Sequence, residues 1–298
     1  MNKLKKKDIA KWLLKFVLSA TALFFVFRIV DPDAIFDAIF SADPFYLLLA
    51  FLAFNLSKVL SAFRLNHYYS AIGVKISQKY NLLLYYIGMF YNLFLPGSVG
   101  GDAYKVYLLR QQGLGGTKKL LLATLMDRLS GLALLVLLTF GLVLFSSRLI
   151  DMPYIGPLSF SGLLLTLPLF WIVNRRFFPE LFIVILPTLH LSFWVQLGQL
   201  LCAFFILLAI GVEVRYLDYL ILFMVSSVVA VLPFTLGGVG ARELVFLYGY
   251  QYLLIEERLA IAFTFLFFST LAVSSLAGLA LSLLPLPESG PSPVIADE

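Results

Sequence analysis

Two basic residues, Lys105 and Arg242, each follow a proline, a hydroxyl residue and a pair of glycines inside apolar sequence. The first stretch reads L-P-G-S-V-G-G-D-A-Y-K from Leu95, and the second L-P-F-T-L-G-G-V-G-A-R from Leu232. Pro96 aligns with Pro233, Ser98 with Thr235, Gly100-Gly101 with Gly237-Gly238, and Lys105 with Arg242. One offset, 242 − 105 = 137, serves throughout without a gap, and Gly240 adds a further glycine to the second copy. A helix beginning after each glycine pair would aim free N–H groups and the positive end of its dipole at the turn. A cation about one turn further on adds a full charge, the arrangement that holds a phosphate or a carboxylate. Glycine lets a bulky head group approach the backbone, and Asp102 is placed to cap the first of these helices. The competing reading is structural: glycines for close helix packing, and cations that reach back to an interface.

A second charged group is Asp127-Arg128-Leu129-Ser130-Gly131. Neighbours on a helix point to different faces, so Asp127 and Arg128 need separate partners. Lys58, Lys105 or Arg242 could serve Asp127; Asp102, Glu243 or a lipid phosphate could serve Arg128. A structural ion-pair network and a direct part in binding both remain open. Glu243 reads first as a salt bridge holding the second glycine segment. Asn55 with Lys58, and Gln196 with Gln199, fall on single helix sides and suit interhelical hydrogen bonds. Enzyme chemistry finds little support. His67 and His190 are far apart and lack metal-ligand spacing, and no nucleotide loop, nucleophile elbow or dinucleotide fingerprint occurs. No catalytic residue, metal or cofactor is therefore expected.

The elements that must position these residues are membrane helices. Of 298 residues, 61% are hydrophobic and 13% charged, about half the charge of a soluble domain. The apolar runs are continuous and roughly 17–25 residues long, which suits helices and not barrel strands. The lone Cys202 excludes an internal disulfide. The net charge of +5 is a topology signal, since the basic residues gather on one set of loops; it gives no reason to expect nucleic acid.

Lys3, Lys5, Lys6, Lys7 and Lys11 place the amino terminus in the cytoplasm. Residues 12–30 read as an uncleaved first span, and 31–44, with Asp31, Asp33, Asp37 and Asp43, as an outer loop. A second span covers 45–63, and Arg64, Lys75 and Lys79 mark the inner connection. Residues 80–95 make a helix of roughly 24 Å, short of the ~30 Å hydrocarbon core. The chain is expected to turn at the glycines and come back through 102–112, a re-entrant hairpin over 80–112. Further spans cover 119–145, 158–174 and 191–211, with 177–190, which holds Pro179 and Pro187, interfacial or hiding one more crossing. A second hairpin covers 219–252, a last span 259–284, and 285–298 is a flexible tail. Three crossings between the hairpins put them on opposite faces, an inverted-topology repeat of halves 12–147 and 158–284. The expected fold is an all-α polytopic membrane protein of about six full spans plus two re-entrant helical hairpins.

The segments Asn92–Arg110, Asp127–Gly131 and Leu232–Glu243 together resemble the flippase-like transmembrane region of lysylphosphatidylglycerol synthases. The similarity runs over nearly the whole chain and rests on three motifs in order. It implies a prokaryotic cell (inner) membrane location and the handling of membrane lipid head groups. The synthases follow this region with a cytoplasmic aminoacyl-transferase domain; the sequence ends at Glu298 without one, so lysine transfer is not expected. The expectation is a flippase-like carrier of an anionic or aminoacylated phospholipid or of a polyprenyl phosphate. Its alternative is an intramembrane transferase, or an accessory to a partner enzyme of lipid or glycan synthesis. Lys105, Arg242, Arg128, Asp102, Asp127, Glu243, Ser98 and Thr235 are the expected substrate-binding residues. Pro96, Gly100, Gly101, Pro233, Gly237, Gly238 and Gly240 are the expected turn residues.

Overall fold

A computed structural model describes residues 37, 40–94, 100–231 and 241–283. The expected first span, the tail, and the turn residues Pro96, Ser98, Pro233, Thr235, Gly237, Gly238 and Gly240 lie outside them, as does the side chain of Glu243.

Helix α1 (Pro44–Ala71) starts where the Asp43 carboxylate accepts the Phe45 N–H at 2.8 Å, with proline at the first helical position. It ends at Gly73, whose φ of +83° reverses the chain. The helix therefore runs eight residues beyond the expected end at 63, and Arg64 is buried within it, not in a loop. Helices α2 (Gln78–Phe94) and α3 (Gly100–Gln111) follow. The Gly101 N–H donates to Asn92 Oδ1 at 2.8 Å, and the Tyr91 and Tyr104 rings lie 4.2 Å apart, so α3 folds back along α2. A Cβ on Gly101 would collide with the Gly88 carbonyl oxygen, and Lys105 lies against Gly88; two glycines facing each other set this approach. Gly100 and Gly101, expected as turn residues, are the first two residues of α3. Asp102, expected as a cap, is the third residue of that helix.

Helix α4 (Thr117–Leu144) leads through the short α5 (Ser147–Ile150) to α6 (Ile155–Phe177). The stretch 177–190 holds no additional crossing. Pro179 opens a four-residue helix, α7 (Pro179–Phe182), and Pro187 sits in the first turn of α8 (Ile185–Ala209). Helices α9 (Tyr216–Val231) and α10 (Ala241–Leu253) form the second antiparallel pair, with Leu222 packed under Gly249 and Ser226 bonded to Arg242. Helix α11 (Glu257–Leu283) closes the bundle. Among the described residues, α1, α4, α6, α8 and α11 are long and apolar enough to cross a membrane. No strand occurs among them. The protein is an all-α polytopic membrane protein.

The succession α1–α2–α3–α4 recurs as α8–α9–α10–α11, with element ends shifted by 209 − 71 = 138 and 231 − 94 = 137. The two leading helices lie antiparallel along their length. Asp43 N–H donates to Ala209 O at 2.8 Å, Gly198 packs on Ser57, and the Tyr68 and Thr188 hydroxyls meet at 2.9 Å. One end of the bundle gathers Tyr69, Val74, Tyr80, Leu114, Leu120 and Leu181 into a buried cluster beside the open end of the first hairpin. At the other end Arg148 and Arg215 both donate to Leu253 O, at 2.9 and 2.8 Å, beside the open end of the second. The hairpins thus enter from opposite ends, with α4, α6 and α8 between them.

Candidate functional site

Both hairpins end at one cavity of about 330 Å³ inside the bundle. Its wall carries five cations, Lys58, Arg64, Lys105, Arg128 and Arg242, and two carboxylates, Asp102 and Asp127. The described side chains therefore give it a formal charge of 5 − 2 = +3. Charge inside a membrane bundle is costly unless it is paired or used, so the pairing of each group decides what the cavity offers.

Helix α4 supplies Asp127 and Arg128, which point apart as adjacent helical residues must. Asp127 turns to α1, where Arg64 Nε donates to its Oδ1 at 2.7 Å. Arg64 also donates through Nη1 to Ser192 Oγ on α8 at 2.9 Å, and its guanidinium passes over Gly131, where a side chain would block it. The partner of Asp127 is thus none of Lys58, Lys105 or Arg242. Arg128 turns to α3 and donates through Nε to Asp102 Oδ2. The other oxygen of Asp102 takes Lys105 Nζ at 2.7 Å, one turn along the same helix. Lys105 also rests over the Tyr85 ring at 5.1 Å. Asp102, Lys105, Asp127 and Arg64 are 3–5% exposed, and burial of this depth makes each pair expensive to break from one side.

The opposite wall is aromatic. Arg242, from α10, lies over Phe267 at 4.4 Å and Phe223 at 5.1 Å and donates to Ser226 Oγ at 3.2 Å. Lys58, from α1, lies over Phe54 at 4.5 Å. Phe54 meets Phe267 edge to face at 5.9 Å, so the rings form one surface carrying a cation from each repeat. Between the walls stand the amides of Gln196 and Gln199, which donate to Gly131 O at 3.0 Å and to Ser57 Oγ.

The structure places Lys105, Arg242, Arg128, Asp102 and Asp127 around one cavity, together with Lys58, Gln196 and Gln199. Asn55 stands apart, donating to Ser274 Oγ at 3.0 Å and accepting from the Tyr86 hydroxyl at 2.9 Å. His190 accepts from Trp194 Nε1 at 3.1 Å, away from the cavity. Sequence reasoning missed Arg64 and the Phe54, Phe223 and Phe267 surface. Lys58, Ser61 and Arg64, three residues apart, were a readable signal for the former. Nothing local singles out three rings among 29 phenylalanines. Among the described residues no cluster of His, Cys, Asp and Glu could hold a metal ion.

Comparison with curated proteins and with solved structures returns no match. A family model, that of the lysylphosphatidylglycerol synthase TM region, matches residues 12–278 and so takes in every cavity residue named above. The repeat, its charged interior and this match agree: the chain belongs to the family of the lysylphosphatidylglycerol synthase transmembrane region.

Proposed function

We propose that the protein is a flippase-like lipid carrier in which an anionic lipid head group enters the cavity while the acyl or prenyl chains stay in the bilayer. The observation that carries this reading is the excess of cations over carboxylates among the described residues that line one cavity built from both repeats. Family membership supports a lipid-related role, and hairpins entering from opposite ends suit a site reached alternately from either leaflet. Lys105 holds Asp102 in place and Arg128 shares that carboxylate. A phosphate arriving at Arg128 would exchange for, or add to, one existing partner. The alternative of an intramembrane transferase needs a carboxylate base; Asp102 and Asp127 are both held by cations, which favours a carrier over an enzyme.

The test is head-group movement of fluorescent phospholipid or polyprenyl phosphate in vesicles reconstituted with the full chain. Arg128→Ala and Arg242→Ala should each slow movement about tenfold, the effect of roughly 1.4 kcal/mol on a rate. Arg128→Ala leaves Asp102 paired with Lys105, so no buried carboxylate is stranded. Movement at the parent rate in both variants would remove the cavity from the mechanism.

A further inference from the structure

Charge in the cavity is unevenly committed. Arg64, Lys105 and Arg128 each have a carboxylate oxygen within ion-pair distance. Lys58 has neither a carboxylate nor a hydrogen-bond partner among the described residues; its ammonium rests on the Phe54 ring. A ring face attracts a cation but accepts no strong hydrogen bond, so three ammonium protons in the interior still call for an acceptor. The Phe54–Phe267 contact connects Lys58 with Arg242, whose guanidinium lies over Phe267. An anion between them would touch one cation from each repeat. Both carboxylates are already engaged, so a head group that carries its own ammonium finds no free carboxylate among the described residues and meets a surplus of like charge.

We infer that Lys58, with Arg242 across the phenylalanine surface, is the phosphate-binding subsite, and that the cavity selects phosphate head groups without an ammonium, rejecting aminoacylated ones. This rests on the carrier reading and names its substrate class. The volume of about 330 Å³ is at the small end for ligand pockets and suits a phosphate with a short polyol. The neutral donors and acceptors of Gln196 and Gln199 stand beside it.

Native mass spectrometry of the full chain in detergent, titrated with single lipids, tests the inference. The probes are phosphatidylglycerol, a polyprenyl phosphate, lysylphosphatidylglycerol and phosphatidylcholine. The parent should retain one or both of the first two about tenfold more tightly than the others, the scale of one charge-assisted hydrogen bond. Whichever of the two is held more tightly identifies the source of the phosphate. Lys58→Gln should lower that retention about tenfold, and Lys58→Arg should restore it. Lys58→Glu should reverse the order between phosphatidylglycerol and lysylphosphatidylglycerol. Equal retention of those two lipids by the parent would overturn the selectivity, and that comparison needs no variant. Undiminished phosphatidylglycerol retention in a folded Lys58→Gln protein would overturn the subsite and leave the carrier reading intact. A parent that retains none of the four would count against both.

Discussion

Asp102 shows how much one side chain settles at this site. One oxygen takes Lys105 on its own helix and the other takes Arg128 on α4, so a single carboxylate joins two helices and is shared by two cations. Arg64 has the same importance for Asp127. Arg64→Leu should lower stability by about 3–5 kcal/mol, because it strands a buried carboxylate. The double variant Arg64→Leu/Asp127→Leu should recover most of that loss, since apolar replacement of both partners removes the stranded charge. Thermal unfolding in detergent reads both; a double variant as weak as the single would contradict the pairing. The polar residues of the site were legible because Lys105, Asp127 and Arg242 stand in apolar surroundings. Arg64, despite its spacing from Lys58 and Ser61, reads as a loop residue because it follows the apolar run 45–63 and precedes Asn66 and His67. Its burial comes from α4 and α8, which no local window contains.

At the scale of elements, helix contact replaces helix length as the deciding quantity. Helices α2 and α3 have 17 and 12 residues, about 26 and 18 Å at 1.5 Å per residue, so each is short of a crossing. What keeps them in the bundle is facing glycine surfaces and the ion pair from Asp102 to α4. Gly101→Ala places a methyl against the Gly88 carbonyl and should cost about 1–3 kcal/mol, as overpacking does. Gly141→Ala, where a Cβ would meet Leu163 at an ordinary 3.8 Å, should instead stabilise α4 by up to about 1 kcal/mol. Thermal-shift curves that ranked the two the other way would refute the close hairpin. The long helices and the repeat were readable from apolar runs and the matched glycine motifs. The boundary near 177–190 was not, because prolines that begin helices look, in sequence, like prolines that break them.

For the whole molecule, the two hairpin mouths should face different compartments. In a Cys202→Ser background, single cysteines replacing Lys79 and Glu256, one beside each mouth, report this through labelling in sealed vesicles of known sidedness. Lys79→Cys should label from one side and Glu256→Cys from the other; labelling from a shared side would undo the inverted arrangement. Lys75, Lys79, Arg110, Lys118, Lys119, Arg175 and Arg176 belong to the end where the first hairpin opens, against Arg148, Arg215 and Arg258 at the other. We propose by that bias that the first mouth is cytoplasmic.

Helix α6 stands outside the repeat and against one flank of α4, where Phe140 lies under Gly162. Only 11% of its apolar window is buried within the protein, against 56% for α4. It acts as a spacer that turns the second half over before that half begins. Its Leu164, Leu165 and Leu169 side face outward and should accept any lipophilic replacement. The helix itself should not be dispensable: deleting this one pass would leave both repeats in the sequence yet pointing the same way, with no common chamber to share.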